Sequence, residues 1–456
     1  MIRSFKKYFS QKKRIKEYNK NRPHNKRDAF CWAPFTALRF HRNGSVQVCC
    51  HHIDYFSLSE NPLQNVWLGS ELENMRNQMK QYDIPPSCNF CASEFYSNNF
   101  SNVIAKSYDY YSINENKYPV FIDFSLSNRC NLACAMCDSS LSSKVGERRG
   151  NKINFDFKYD NDFLKQLEPF LRNLKSSVFT GGEPFLIDIY YQIWETMTQI
   201  NPQAQIFVTT NGTVLNDRVK DIIQKGNFNF NISIDSFNKD NYEKIRIGAN
   251  YEQVMQNLDY FASYCKEKKR ELTITICPMQ INWKDIPEIV QKCNDNNWGF
   301  SFNNLIKPWK LALWSLPNDE IDKVLLFYKQ QEFLENSSKS PRNIQTFNAL
   351  IDLLQMWSKV AEYLAKIEID ENRATEIFVN SLSLLINAHS DDNLYSERIK
   401  SIAQFVPLSL MSFIDFASNS HYKKLLKDEI ELYDDETVAE HLSLMLFHKA
   451  VVVTFA

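Results

Sequence analysis

Residues 127–138 read Ser127-Asn128-Arg129-Cys130-Asn131-Leu132-Ala133-Cys134-Ala135-Met136-Cys137-Asp138, three thiols packed into one short run directly after an apolar strand, Val120–Ser127. Three thiolates can hold a four-iron, four-sulfur cube while leaving its fourth iron without a protein ligand, and an open iron is a place to bind and reduce a substrate. The same triplet can form part of a zinc site. The rest of the chain has to weigh one against the other.

From about residue 118 to 308, short apolar strands alternate with longer helical stretches. Val120–Ser127, Ser177–Thr180, Gln205–Thr210, Asn229–Asp235, Leu272–Cys277 and Phe300–Asn304 read as strands. Phe163–Leu174, Leu186–Ile200, Asp217–Gln224, Tyr251–Lys268 and Ile286–Asn294 read as the helices between them. Strands alternating with helices predict parallel βα units, in an open doubly wound sheet or a partial barrel. Both architectures place their chemistry at the C-terminal ends of the strands, where the three cysteines fall.

Other candidates stand at the later strand ends. Thr180-Gly181-Gly182-Glu183-Pro184 follows the second strand; its glycines let a backbone approach a ligand closely, and Glu183 can accept from an ammonium group. Thr209-Thr210-Asn211-Gly212 follows the third. Ser233 and Asp235 close the fourth with a hydroxyl and a carboxylate suited to a ribose, and Arg246 can pair with a carboxylate. Each alone is a common turn or charge. Together they describe a pocket with partners for an ammonium, a carboxylate and a ribose.

Residues 28–115 are loop-rich, with a hairpin expected from Thr36–His41, a turn at Asn43-Gly44, and Ser45–Cys50. They carry a second thiol group, Cys31, Cys49, Cys50, Cys88 and Cys91. Two loop cysteines plus the pair Cys88-Asn89-Phe90-Cys91 can close a tetrahedral zinc or a fully ligated iron–sulfur cluster. His51 and His52 are alternative ligands or members of a polar loop. Residues 309–456 read as amphipathic helices, among them Asp319–Glu335, Ile344–Ile367 and Thr375–Ala388, with Val451–Phe455 as a final strand. Trp309 and Trp314 either floor a substrate site or dock those helices.

A chain of 456 residues has room for two or three domains. Lys plus Arg number 53 against 54 for Asp plus Glu, so no global field attracts nucleic acid or an anionic membrane. Residues 1–27 are the exception, with eleven Lys or Arg against Glu17 and a partial stripe of Ile2, Phe5, Tyr8, Phe9, Ile15 and Tyr18. Such an arm can touch a membrane surface, nucleic acid or an acidic peptide, or lie as a helix on its own domain. No secretory segment follows it, and no apolar stretch reaches the roughly 18–20 residues that span a bilayer. The apolar tail Leu442–Ala456 is interrupted by His448 and Lys449. Eleven cysteines without a signal peptide predict metal ligands in a reducing cytoplasm rather than disulfides. Cys265 and Cys293 fall in helical stretches and read as core.

At the cysteine triplet, the Gly-Gly-Glu-Pro turn and the strand order, residues 118–308 resemble the radical S-adenosylmethionine (radical SAM) superfamily. The resemblance implies a partial (β/α)6 barrel in which Cys130, Cys134 and Cys137 hold a 4Fe–4S cluster. It implies that the open iron chelates the methionine amino and carboxylate groups of S-adenosylmethionine, and that one electron releases a 5′-deoxyadenosyl radical. Gly181, Gly182 and Glu183 are then expected at the methionine amino end, and Ser233, Asp235 and Arg246 at the ribose and carboxylate. Met136 stands where the family often has an aromatic residue, and its thioether can pack on adenine. Cys277, ending the fifth strand, is a hydrogen-donor candidate or a small buried side chain. Residues 28–115 resemble the Twitch/SPASM auxiliary-cluster region in the Cys…Gly-x4-Cys run and in Cys-x2-Cys-x2-Glu, which ends at Glu94. That implies a second 4Fe–4S cluster on Cys31, Cys49, Cys88 and Cys91, with Cys50 spare.

The expected architecture is therefore α/β: a basic arm (1–27), a small N-terminal metal-cluster domain (28–115), the partial barrel (116–308) and an all-α C-terminal domain (309–456). The expected protein is a cytoplasmic radical SAM oxidoreductase, reduced by a donor such as flavodoxin or ferredoxin. Its first expected substrate is a ribosomally made peptide, modified by cross-linking, dehydrogenation or epimerisation, with the basic arm holding an acidic leader. A sugar, aminocyclitol or other small molecule is the alternative substrate. A zinc-stapled, non-catalytic interaction protein is the alternative of another class.

Overall fold

The aromatic residues of the strands decide which side of the sheet is buried. The computed structural model describes residues 11–52, 55–96, 98, 100, 103–112 and 118–365, together with 375, 378–379, 393–406, 438, 442 and 446. The chain divides into two compact units, residues 1–233 with 246–272, and residues 234–245 with 273–456.

The first unit contains β1 (Ala37–His41), β2 (Ser45–Gln47), β3 (Phe56–Ser57), β4 (Phe121–Ser125), β5 (Ser176–Phe179), β6 (Gln205–Thr210) and β7 (Asn227–Ser233), in the order β3-β2-β1-β4-β5-β6-β7. From β1 to β7 the neighbours run parallel, and β2 and β3 close the edge as an antiparallel meander. Phe40, Phe124 and Phe179 stack across β1, β4 and β5 at 5.5 and 4.7 Å between ring centroids. Side chains alternate across a strand, so this set shares one face. It is covered by Phe163, Tyr190 and Trp194 from the helices Asn161–Leu171 and Asp188–Ile200. Phe261 of the helix Tyr251–Lys268 covers Phe230 of β7 at 4.6 Å. The register then puts Arg39, Asp123, Val178 and Phe207 on the opposite, half-buried face.

Helix ends follow local chemistry. Asn250 caps Tyr251–Lys268 by accepting from the Gln253 amide at 2.8 Å, and Asp160 caps Asn161–Leu171 in the same way. The helix Ser143–Arg149, absent from the pattern-based expectation, starts on Ser142 and stops at Gly150 with φ +72°.

The expected hairpin forms around Gly44, whose φ of +80° permits the turn, but its first strand also pairs parallel with β4 over Ala37–His41. Residues 28–115 thus extend the sheet of the later strands within one unit. Much of the basic arm is likewise docked. Residues 11–18 are helical. Tyr18 is fully buried against Phe30 and Phe95, and its hydroxyl donates to the Phe30 carbonyl at 2.8 Å. Arg22 makes a two-pronged bond to Asp109, both arms at 2.7 Å.

In the second unit, β8 (Leu272–Ile276) and β9 (Gly299–Phe302) pair in parallel, with the helix Ile286–Asn296 between them in sequence. The helices Asn318–Lys329, Ser340–Ala365 and Asn393–Phe405 follow, and no described residue after Phe302 is in a strand. The helix expected over Asp319–Glu335 stops at Lys329, and Leu334, inside the expected range, bonds across to the helix Ile286–Asn296 instead. The Leu334 amide donates to Gln291 Oε1 at 2.9 Å, and Asn294 Nδ2 to the Leu334 carbonyl at 3.2 Å. Residues 1–10, most of Thr375–Ala388, and Val451–Phe455 lie outside the described residues. Altogether the fold is a mixed α/β partial barrel followed by helices.

Candidate metal and cofactor site

The cysteine triplet sits in a loop fastened at several points. The Cys130 amide donates to Ser143 Oγ at 3.1 Å, and Ser142 Oγ donates to the Leu132 carbonyl at 2.7 Å, tying the loop to the helix Ser143–Arg149. The Ala133 amide donates to the Ile247 carbonyl, and Asp138 Oδ1 accepts from the Ser140 amide to close the exit turn. Burial pushes the Cys130 thiol up to about 11 and the Cys137 thiol up to about 12. Cys134 adds to both shifts and Cys130 adds to that of Cys137, so the three stand within electrostatic reach.

The Gly-Gly turn is pressed against this loop. A Cβ on Gly182 would lie 2.1 Å from the Arg129 carbonyl oxygen, and one on Gly181, at φ +114°, 2.5 Å from that of Ser127. The backbone bonds Gly182 N to Ser127 O (2.9 Å) and Glu183 N to Arg129 O (2.8 Å) pass across this contact. Glycine here lets two pieces of the protein's own backbone meet.

Glu183 is fully buried. Its Oε1 accepts from Thr210 Oγ1 at 2.8 Å and the Phe185 amide at 3.2 Å, and its Oε2 from the Asn211 amide at 2.8 Å. Burial raises its pKa to about 7 against the lowering effect of these donors and of Arg246. The carboxylate expected at an ammonium group is therefore engaged inside the protein, joining the turns after β5 and β6. Asn211, quoted in the sequence only as part of a turn, reaches Asn131 Oδ1 at 3.0 Å and Cys130 Sγ at 3.9 Å. No pattern signal singles it out, because its role depends on where β6 ends relative to β4.

Arg246 is buried, and its Nη1 stands 4.0 Å from Cys134 Sγ. Ser233 ends β7 half-buried, and Met136 is half-buried in the cysteine loop. Asp235 and Cys277 belong to the second unit, where Asp235 Oδ1 accepts from the Cys277 amide at 2.6 Å. Asp235 is fully buried. Trp314 is buried too and donates to the Ile306 carbonyl at 3.3 Å.

Cys31, Cys49, Cys88 and Cys91 line one cavity together with Phe30, Met75, Met79 and Tyr108, with about 370 Å³ of empty space including its open side. They come from four places in the chain. Cys31 precedes the helical turn Ala33–Thr36, Cys49 follows β2, Cys88 ends a short turn, and Cys91 sits in the helix Asn89–Tyr96. Burial drives the Cys49 thiol up to about 12 and raises those of Cys31 and Cys91. Cys50 is exposed and outside the lining, facing Arg39. His51 lines the cavity and stacks on Phe90, while His52 pairs with Ser87 at 3.1 Å. A single ion would need its ligands drawn to about 2.3 Å from one point. Among the described residues no group of three or more His, Cys, Asp or Glu side chains is gathered to hold one metal ion.

Residues 124–293 match the Radical SAM superfamily model, and residues 31–92 match the SPASM iron–sulfur cluster-binding domain. The chain carries a radical SAM domain. This radical SAM protein is similar to the GTP 3′,8-cyclase of Clostridium perfringens, 28% identical over 205 residues that make up 42% of this chain and 58% of that protein. It is similar also to that of Lactiplantibacillus plantarum, 27% identical over 207 residues, 43% of this chain and 59% of that one. The chain thus spans under two thirds of the length of the curated relatives it matches. Among solved structures it is similar to Streptococcus suis SuiB bound to S-adenosylmethionine, at 16% identity and TM-score 0.36 over 58% of each chain. A second is anSMEcpe with bound AdoMet, at 17% identity and TM-score 0.36 over 46% of this chain and 60% of that one.

The cofactors of the two radical SAM protein domains are S-adenosylmethionine with a 4Fe–4S cluster and an auxiliary 4Fe–4S cluster. The donors present fit them. Three neighbouring thiols on one loop leave a cube one ligand short, and four thiols around a cavity suit a polynuclear centre. No helix among the described residues is long and apolar enough to cross a membrane.

Proposed function

We propose that this radical SAM enzyme is an oxidoreductase that modifies a ribosomally made peptide by cross-linking, dehydrogenation or epimerisation. The observation that carries the reading is the cavity lined by Cys31, Cys49, Cys88 and Cys91 within the SPASM match, since a second redox centre favours net oxidation. When bound, the clusters supply one-electron chemistry, which opens S-adenosylmethionine to a hydrogen-abstracting radical at one site and accepts an electron at the other.

In this reading Cys130, Cys134 and Cys137 hold the barrel cluster and Cys31, Cys49, Cys88 and Cys91 the auxiliary one. The Gly181–Gly182 backbone, pinned to the cysteine loop, receives the methionine amino end, and Arg246, beside Cys134, its carboxylate. Ser233 faces the ribose and Met136 the adenine. Glu183 positions the turns that carry these groups. Arg22 and Lys26 are buried, so an acidic leader would meet the part of the arm before them. A small molecule is the second reading, favoured by the similarity to GTP 3′,8-cyclases.

Anaerobic reconstitution with dithionite and S-adenosylmethionine tests the reaction class. About eight irons per chain and release of 5′-deoxyadenosine are expected, at four irons per cube. A triple Cys130→Ala, Cys134→Ala, Cys137→Ala variant should lose about half the iron and all the nucleoside. Retained nucleoside would remove the barrel assignment. A mass loss of two hydrogens (cross-linking or dehydrogenation) or an inverted residue at unchanged mass (epimerisation) in a candidate peptide, and neither change in small molecules, supports the peptide reading over the other.

A further inference from the structure

Beside the cysteine loop lies an opening lined by Ala133, Cys134, Ala135, Val145, Arg148, Arg149 and Ile247, with about 610 Å³ of empty space including its open mouth. Neither Gly181, Gly182, Glu183 nor Arg246 lines it, so it is distinct from the turn-lined side of the loop. Arg148 and Arg149 end the helix that Ser142 and Ser143 fasten to the cysteine loop. Both are exposed, and among the described residues their guanidinium groups have no hydrogen bond or ion pair. Lys144 and Lys152 are exposed as well, and Glu147, bonded to Lys144 at 2.8 Å, is the sole acid from 143 to 152. Arg148 and Arg149 therefore form a basic rim along one side of a floor of small apolar side chains, and the floor includes a cysteine of the triplet.

We propose that this rim is the docking surface for a small acidic electron-carrier protein, a flavoprotein or an iron–sulfur protein, that delivers one electron to the centre held by Cys130, Cys134 and Cys137. The proposal rests on the radical SAM reaction above, which consumes an electron from outside the chain. In the transfer no bond forms or breaks: the reduced carrier loses one electron and the centre gains it.

Charge and lining both favour this occupant. Unpaired arginines beside an apolar patch are a common composition for a protein interface, and a positive rim raises the on-rate of an acidic partner. For a small anion the lining has no hydroxyl or amide side chain to complete a cage. Arginines in a last helical turn also stabilise that helix end, and the test separates that role.

The reconstituted holoenzyme is titrated with a dye-labelled acidic flavodoxin, and deoxyadenosine release is followed with either reduced flavodoxin or dithionite. The double variant Arg148→Glu, Arg149→Glu should bind flavodoxin about ten-fold more weakly and slow flavodoxin-driven release by a similar factor, with dithionite-driven release unchanged. The variant Arg148→Lys, Arg149→Lys should bind like wild type, since charge is kept. Raising salt from about 0.05 to 0.5 M should weaken the wild type and barely touch the reversed variant. Undiminished flavodoxin binding by the reversed variant overturns the proposal, and so does an equal fall in both release rates. Wild-type enzyme that releases no nucleoside with dithionite would overturn the reaction class instead, and the binding titration would still decide the docking surface.

Discussion

The Asn211 amide donates to Glu183 Oε2 at 2.8 Å, and the side chain of the same asparagine reaches 3.9 Å from Cys130 Sγ. The turns after β5 and β6 and the cysteine loop after β4 are thereby one hydrogen-bonded assembly with Glu183 at its buried centre. In Glu183→Gln an amide nitrogen must face either the Asn211 N–H or the donors at Oε1, leaving a buried group unpaired at about 1–3 kcal/mol. Glu183→Ala should cost more, because three donors lose their acceptor. Denaturant midpoints of the two variants check the order. Equal midpoints for wild type and both variants would mean that this carboxylate does not organise the loop.

Gly182 predicts a local failure. Its missing Cβ would overlap the Arg129 carbonyl at 2.1 Å and the Asn128 carbonyl carbon at 2.7 Å, both backbone atoms that cannot rotate away. Gly182→Ala should push the cysteine loop off the sheet edge at a cost of about 1–3 kcal/mol or more. Iron analysis should then find the four irons of the auxiliary site retained and those of the barrel site depleted.

Cys49 and Cys50 are adjacent in sequence and differ in environment, since Cys49 lines the four-cysteine cavity and Cys50 is exposed beside Arg39. Cys49→Ala should lose about four of about eight irons, and Cys50→Ala should lose none. Iron counts and absorbance near 400 nm on matched preparations distinguish the two, and the reverse pattern would move the ligand to Cys50.

Much of this arrangement was legible before folding was considered, for particular reasons. The strand Gln205–Thr210 and the helix Tyr251–Lys268 emerged with their final limits because the strand is a short β-branched and aromatic run stopped by Asn211-Gly212, and the helix carries a helical apolar period that begins after Asn250. The three cysteines of the loop share a site region because eight residues of covalent chain leave them little choice. The pairing of β1 with β4 was not legible, since turn chemistry at Asn43-Gly44 reports only the local hairpin and the parallel partner lies some eighty residues away. The inward use of Glu183 was hidden likewise: a Gly-Gly-Glu turn does not disclose whether its carboxylate meets a ligand or the next turn. The helix Ser143–Arg149 escaped because it is short and charged, and it is held by Ser142 and Ser143 contacts to the cysteine loop.

His41 supplies a pH prediction. It ends β1, bonds Gln47 through Nε2 and stacks edge-on against Tyr55. Burial first, and Arg39 and Arg42 after it, lower its pKa from 6.5 to about 4. The folded chain therefore holds a neutral imidazole where the unfolded chain would bind a proton. The stabilisation is complete above pH 6.5 and is lost as pH falls toward 4. Glu183, shifted upward, works in the opposite direction over part of this range. The informative quantity is thus the difference between wild type and His41→Asn. That difference should shrink steadily from pH 7 to 4 in denaturant melts of the cluster-free chain, and a constant difference would mean that His41 titrates normally.

Asn343 ties the end of the barrel strands to the helices that follow. It is buried; its Oδ1 accepts from the Phe300 amide of β9 at 2.8 Å, and its Nδ2 donates to Asn294 Oδ1 and the Trp298 carbonyl, each at 3.0 Å. Asn343→Leu keeps the volume and deletes every bond, leaving one donor and two acceptors buried without a partner. At about 1–3 kcal/mol for each unsatisfied group, part of which relaxation recovers, the variant should lose about 2–4 kcal/mol. Asn343→Asp retains the acceptor for Phe300 and opposes a carboxylate oxygen to two acceptors, so it should fall between wild type and leucine at high pH and recover as it protonates. Unfolding midpoints of the three proteins at two pH values check that order. A leucine variant as stable as wild type would show that apolar packing around Tyr328 and Phe347, 5.0 Å apart, holds this junction without the asparagine.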